Sequence, residues 1–141
     1  MSIEDNKRIV RRFIEEIFVK QDEAAVDELA ARDFTPHSWP GVKPGTETLK
    51  QAMRRVSAGL ADVSMKIEDM IAEGDRVAVR LTAHGTHRGE FMGMPASGRS
   101  YTISETHIFR LRDGQVIEHW RDADMLGLMQ QLGTIPMRKA S

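Results

Sequence analysis

The stretch Tyr101–Asp124, YTISETHIFRLRDGQVIEHWRDAD, carries the clearest fold signal in the chain. Apolar and polar residues alternate on both sides of Asp113-Gly114, a pair typical of a two-residue type I′ hairpin turn. Such a turn pairs Arg112 with Gln115 and thereby fixes which side chains share a face. The stretch therefore predicts two long antiparallel strands joined by a tight turn.

One face of this hairpin holds most of its large apolar side chains, so we expect that face to point toward the core. Its apolar members are Tyr101, Ile103, Phe109, Leu111, Val116 and Trp120. Its titratable members are Glu105, His107, Glu118, Asp122 and Asp124. An unpaired buried charge costs several kcal/mol, so this mixture indicates either a solvated pocket or a hydrogen-bonded cluster. A β-bulge in the hairpin would exchange the two faces beyond it.

Three of the polar residues also have purely structural interpretations. Glu118 lies near the turn, where solvent can reach it, and Asp124 stands where an N-cap of the following helix belongs. His107, placed opposite Trp120, could be a hydrogen-bonded core histidine. The joint pattern favours a pocket in which His107 and an aspartate, Asp124 or Asp122, perform acid/base chemistry.

The rest of the chain predicts a single α+β domain over residues 1–141. Apolar residues at helical spacing predict three helices, at about 3–18, 23–31 and 46–60, and a closing helix at 124–132. Residues 33–45 contain Pro36, Pro40 and Pro44 and predict a loop. Alternation predicts two further strands, at 63–72 and 76–83. The predicted fold is a cone in which N-terminal helices cover one face of a curved, mainly antiparallel sheet.

Composition narrows the classes of partner. Lys plus Arg is 20 and Asp plus Glu is 21, so the net charge of −1 argues against a nucleic-acid partner. The chain has no cysteine, no signal-peptide pattern and no apolar run of the ~18 residues that a membrane span needs. We therefore expect a cytoplasmic protein with no membrane partner. Phosphate-binding loops and tight metal-ligand motifs are also missing, so we expect neither a cofactor nor a metal.

Residues outside the hairpin complete the predicted pocket for a small apolar or aromatic ligand. His37 and Trp39 lie in the proline-rich loop, which would reach the mouth of a cone. Phe91 and Met94 lie in the glycine-rich segment 85–98 and would supply adaptable apolar lining. Glu105, Trp120 and Tyr101 would contact the ligand from the strands. On the opposite face of the sheet, Ile108, Ile117 and Thr106 predict a homodimer.

Two segments resemble the SnoaL-like polyketide cyclases, which are ester cyclases of the nuclear-transport-factor-2-like superfamily. One is Thr86–Pro95, THRGEFMGMP, and the other runs from Asp113-Gly114 through Glu118-His119-Trp120 to Gly133. The resemblance implies the cystatin-like cone fold, frequent dimerisation through the sheet, and ring closure of an aromatic polyketide ester by intramolecular aldol condensation without a cofactor.

The resemblance also suggests roles for individual residues. The acid/base aspartate of the family lies at the end of the last strand, which corresponds to Asp124, with Asp122 as the competing assignment. The partner histidine corresponds to His107, and His37 stands where family members often carry a pocket histidine. The fold hosts other activities, so two alternatives stay open. These are a non-catalytic ligand-binding or dimeric interaction module, and an isomerase or epoxide-hydrolase-like enzyme.

Overall fold

The computed structural model describes residues 2–38 and 41–136. These residues form four α-helices: α1 Ile3–Arg12, α2 Glu23–Leu29, α3 Thr46–Gly59 and α4 Met125–Gln131. A π-helical segment, Phe13–Val19, continues α1 without a break. The five strands are β1 Ala30–Pro36, β2 Leu60–Glu73, β3 Arg76–His87, β4 Ser100–Arg112 and β5 Gln115–Ala123.

The strands form one sheet in the order β1-β5-β4-β3-β2. Every neighbouring pair is antiparallel except β1 and β5, which run parallel. The predicted α+β class, with helices preceding a mainly antiparallel sheet, is confirmed. In the described residues, no helix has both the length and the apolar character that crossing a membrane would require.

The first strand, β1, was not predicted. Residues 33–36 were expected to begin a loop, but they continue a short edge strand whose partner is β5. An edge strand tolerates Pro36 because only one side of it needs backbone hydrogen bonds. The strand matters for the site because it brings the residues after Pro36 alongside His119, whose carbonyl accepts from the His37 amide at 2.9 Å.

The core lies between the N-terminal helix and the inner face of the sheet. The predicted helical stripe is confirmed, since Ile9, Val10, Phe13, Ile14 and Ile17 are all buried. Ser2 and Asp5 form a capping box at the start of the helix. The stripe packs against inward side chains of β3 and β4, among them Val77, Val79, Leu81 and Phe109.

The hairpin between β4 and β5 contains a β-bulge that reverses the predicted face of β5. The turn forms as predicted, with positive φ at Asp113 and Gly114, and Leu111 pairs with Val116. The register then shifts, so that Ile117 is the extra residue of β5. Val116 and Ile117 are both buried, which strict alternation cannot achieve for two successive residues.

Beyond the bulge, the predicted pairs of β4 and β5 were wrong. Phe109 pairs with His119 instead of Glu118, and His107 pairs with Arg121 instead of Trp120. Glu105 pairs with Ala123 instead of Asp122. On β5, His119 and Arg121 therefore face inward, while Glu118, Trp120 and Asp122 face outward.

Candidate active site

Four polar side chains meet on the inner face of the sheet, two from β4 and two from β5. Glu105 Oε1 lies 2.8 Å from His107 Nε2, and His107 Nδ1 lies 2.8 Å from His119 Nε2. Arg121 holds the same carboxylate through Nε at 3.1 Å and one terminal nitrogen at 2.9 Å. Glu105 and His107 are only 4% and 1% exposed, so this is a buried network rather than a solvated pocket edge.

The carboxylate at one end fixes where the protons of the network lie. Because ionised Glu105 can only accept, His107 must donate to it through Nε2. A neutral His107 then has an unprotonated Nδ1, which accepts from His119 Nε2–H. In a neutral His119 the remaining nitrogen, Nδ1, carries a lone pair. No described residue is hydrogen-bonded to that atom.

Electrostatics keep Glu105 ionised although it is buried. Burial is the largest influence and by itself would raise the pKa of Glu105. The hydrogen bonds from His107 and Arg121, together with the positive charge of Arg121, outweigh burial and lower this pKa to about 2. A carboxylate with two hydrogen-bonding partners is the arrangement that makes a buried negative charge tolerable.

His119, in contrast to the ionised Glu105, is kept in its neutral form. Burial is the main cause that holds the pKa of His119 well below its usual 6.5, and the nearby charge of Arg121 acts in the same direction. Aromatic rings enclose the pair, since the Phe18 ring centre lies 5.5 Å from those of both His107 and His119. Phe109 stacks on His107 at 5.9 Å. A neutral imidazole in an apolar enclosure can accept a proton from a bound molecule.

Phe18 reaches the two histidines from the π-helical segment. A π-helical turn accommodates one residue more than an α-helical turn, and such segments occur often at functional sites. Here it includes both Phe13, packed on Phe109 at 5.5 Å, and Phe18, packed on the histidines. The half-buried Phe18 therefore stands between the histidine pair and the exterior.

The predicted contribution of the aspartates and Trp120 to this face was wrong. Asp122 is exposed on the outer face because of the bulge, and Trp120 lies on the same side. Asp124 is exposed and caps α4, with Oδ1 accepting from the Gly127 amide at 2.8 Å. The residue directly opposite His107 is an arginine, Arg121, and not an aspartate.

The loop histidine also lies outside the inward cluster. His37 stacks on Trp120 at 4.7 Å and contacts Glu118 through Nε2 at 2.7 Å, so it belongs to the outer face. Arg76 lies 5.2 Å from the centre of the Trp120 ring on that side. Trp39, the other residue predicted from this loop, lies outside the described residues.

Besides Glu105, the predicted contact residues Tyr101 and Met94 lie against the core. Tyr101 is buried on the inner face, and burial raises its pKa to about 12, with a smaller contribution from Glu105. Met94 packs against the core but remains partly exposed, as do Met65, Met70 and Met125. Phe91 and Met94 form a small bridge at the tip of the loop after β3.

Two surface depressions of the described chain differ from the predicted apolar pocket. One lies between α1 and β2 and is lined largely by charged side chains. The other lies beside the first half of β4 and the end of β5, and it is lined by Ser104, Glu105, Thr106, Asp122, Ala123 and Asp124. In the described part of the chain, no three His, Asp or Glu side chains are grouped as a metal site.

The sequence interpretation missed His119 and Arg121 as members of the site. Both were assigned outward because the hairpin was treated as regular. The available signal was the doublet Val116-Ile117, in which two consecutive apolar residues interrupt the alternation. Such a doublet is the sequence feature that a β-bulge produces when both residues are buried.

Comparison with known proteins agrees with this fold. The model of the SnoaL-like polyketide cyclase family matches residues 8–132. The solved structure of TsrD from Streptomyces laurentii superposes with a TM-score of 0.88 and is 29% identical, covering 96% of this chain and 99% of that one. The chain belongs to the SnoaL-like polyketide cyclase family.

Two curated relatives are ester cyclases. The nogalonic acid methyl ester cyclase of Streptomyces nogalater is 30% identical over 94 residues, which cover 66% of this chain and 70% of that protein. The aklanonic acid methyl ester cyclase DnrD of Streptomyces peucetius is 38% identical over 60 residues, 43% of this chain. That second match spans only 41% of DnrD.

Proposed function

We propose that this protein is a cofactor-free acid/base enzyme of the polyketide-cyclase type. Its reaction would be an intramolecular aldol condensation on a small aromatic or polyketide ester. The observation that carries the proposal is the buried chain Glu105–His107–His119, which ends in an imidazole nitrogen with a lone pair. The names of the curated relatives support an ester of this class as substrate.

The chain of hydrogen bonds suits His119 to act as the base. His119 Nδ1 removes a proton from the carbon next to a substrate carbonyl, and the electron pair of that C–H bond forms an enolate. His107 and Glu105 stabilise the resulting imidazolium through the Nε2–H···Nδ1 and Nε2–H···carboxylate contacts. The enolate carbon then attacks a second carbonyl of the same molecule. The new alkoxide takes the proton back from His119, so no oxidant or reductant is needed.

Arg121 is placed to stabilise the enolate oxygen. Its Nε and one terminal nitrogen bind Glu105, which leaves the other terminal nitrogen available to an anionic oxygen. The Arg121 side chain retains 27% exposure, unlike its almost sealed partner Glu105. A donor aimed at developing negative charge contributes a typical factor of about 10²–10³ in rate.

Asp122 and Asp124 are less suited to the role of base. Both are exposed, and the Asp124 carboxylate already accepts a backbone hydrogen bond at the start of α4. We therefore assign proton abstraction to His119 rather than to either aspartate.

A non-catalytic ligand-binding module is the second candidate. The observation in its favour is that both nitrogens of His107 and both carboxylate oxygens of Glu105 are engaged within the network. A cluster whose hydrogen bonds are satisfied internally needs no ligand, and a purely structural role is enough to explain it. Epoxide hydrolysis has less support. That reaction would need an Asp/Arg/Asp set that binds water on one face, whereas Arg121 faces inward and Asp122 faces outward.

The experiment that tests the proposal is turnover of aklanonic acid methyl ester by the purified protein, with product formation followed by chromatography. Glu105→Gln should lose most activity, because a neutral amide cannot stabilise, through His107, the positive charge that develops on His119. Glu118→Gln is the matched control, since Glu118 lies on the outer face with Arg110 and His37. Absence of turnover for this ester and for nogalonic acid methyl ester, despite a folded protein, would favour the binding module.

A further inference from the structure

Tyr101 lies across β3 because its partner on that strand has no side chain. Tyr101 pairs with Gly85, and a Cβ atom at Gly85 would lie 2.5 Å from the Tyr101 hydroxyl oxygen and 2.9 Å from its ring Cζ. Real Cβ contacts do not approach this closely, so glycine is required for this orientation. The ring therefore covers Gly85 on the inner face and carries its hydroxyl over β3.

The Tyr101 hydroxyl has no hydrogen-bond partner among the described residues, although Tyr101 is only 5% exposed. Its raised pKa keeps the hydroxyl protonated at ordinary pH, so it remains a hydrogen-bond donor. A ligand oxygen is the acceptor that would complete this site.

A second hydrogen-bond donor without a partner, on His87, lies on the same inner face. His87 occupies the next inward position of β3 after Gly85 and is fully buried. Its Nδ1 accepts from the Ser97 amide at 3.3 Å, so in the neutral ring the proton lies on Nε2. His87 Nε2 is sealed and has no partner among the described residues. Two donors lacking acceptors thus occur beside Gly85.

This end of the inner face is distant from the buried network, whose nearest member on β4 is Glu105. Tyr101 and Glu105 are four residues apart on β4, which corresponds to roughly 13 Å along an extended strand. A ligand that reaches both regions must be elongated and must carry oxygen at two separated positions. Fused aromatic rings with carbonyl groups have this shape and chemistry.

We propose that Tyr101, oriented by Gly85, forms a second polar subsite that binds a carbonyl oxygen of an elongated polycyclic ligand. The subsite determines specificity and takes no part in proton transfer. This proposal depends on the proposed function in one respect, since the ligand is taken to be a polycyclic carbonyl compound.

The test compares dissociation constants of 9,10-anthraquinone and anthracene, two probes of similar shape that differ in carbonyl oxygens. Isothermal titration calorimetry at a fixed content of dimethyl sulfoxide gives both values. The wild-type protein should bind anthraquinone about five- to tenfold more tightly than anthracene, the ratio expected for one added hydrogen bond. Tyr101→Phe keeps the ring and removes the hydroxyl, so it should bring the ratio close to one.

Gly85→Ala is the second variant, because it keeps the hydroxyl but displaces the ring, and it should also reduce the ratio. Ser104→Ala, on the outer side of the same strand, is the control and should keep the wild-type ratio. Circular dichroism checks folding, and if Gly85→Ala does not fold, Tyr101→Phe alone decides. A wild-type ratio near one, or an unchanged ratio in Tyr101→Phe, overturns the subsite. Because binding needs no turnover, an inactive protein that retains the preference would refute the enzyme but not the subsite.

Discussion

His107 Nδ1 and His119 Nε2 lie 2.8 Å apart on neighbouring strands, which joins two buried imidazoles in one hydrogen bond. The contact exists because the bulge at Ile117 turns His119 inward beside His107. Glu105 sets the direction of the bond, since its carboxylate requires a donor from His107. The bulge therefore determines both the membership and the proton arrangement of the site.

The first prediction concerns acid stability and Glu105. Its folded-state pKa of about 2 lies below the ordinary glutamate value of 4.5. The ionised carboxylate therefore stabilises the fold above about pH 5, and this contribution disappears as pH falls toward 2. The shift corresponds to about 3 kcal/mol. Urea unfolding of wild type and Glu105→Gln at pH 7 and pH 3 should show that their difference in unfolding free energy shrinks at low pH. An equal difference at both pH values contradicts the pairing.

The second prediction concerns the protonation of His119. Its folded-state pKa lies well below 6.5, so the unfolded chain binds this proton first as the pH falls. His119 therefore reduces stability progressively below about pH 6.5, and the folded ring stays neutral there. Nitrogen-15 NMR of the imidazole rings should show a neutral His119 at pH 6, protonated on Nε2. A charged ring at that pH would count against its role as a base.

The third prediction concerns Phe18, which shields the histidine pair. Phe18→Ala should admit water and move the pKa of His119 upward toward 6.5, because burial is the main cause of its depression. Phe18→Leu should keep the apolar shield and most of the shift. NMR titration of both variants measures the difference. Equal His119 titration in the two variants would show that Phe18 does not control hydration.

The fourth prediction concerns the outer face of the sheet, which we expect to form the homodimer interface. Ile71 and Ile108 are 69% and 36% exposed there, next to the outward Trp120. Ile117 was expected on this face but is buried at the bulge, so it contributes nothing to the surface. Light scattering should give a dimer for wild type and a monomer for Ile108→Arg. A monomeric wild type at micromolar concentration rules the interface out.

Most of the fold followed from patterns that local physics determines. The helix stripe ending at Ile17 and the Asp113-Gly114 turn depend on spacing and backbone preference, and both formed as predicted. The strand β1 was missed because its pairing with β5 is a long-range contact and its sequence is short and proline-terminated. The order of most elements could therefore be predicted from the sequence, whereas the pairing of the edge strand β1 with β5 could not.

The site was only partly predictable for a related reason. Glu105, His107 and Tyr101 were placed correctly because β4 pairs regularly with β3 along its whole length. Asp122 and Trp120 were misplaced because one extra residue in β5 exchanges all faces beyond it. The π-helical segment that brings Phe18 to the histidines has no comparable signal, since its apolar spacing also fits an α-helix.

One comparison of variants decides whether His119 or an aspartate is the base. The measurement is kcat/KM for aklanonic acid methyl ester with His119→Asn, Asp122→Asn and Asp124→Asn. Asparagine caps helices about as well as aspartate, so Asp124→Asn should keep α4 intact. We expect a loss of about 10²–10⁴ in kcat/KM for His119→Asn and little change for either aspartate variant. Full activity in His119→Asn, with a large loss in Asp122→Asn or Asp124→Asn, would contradict the assignment of the base to His119.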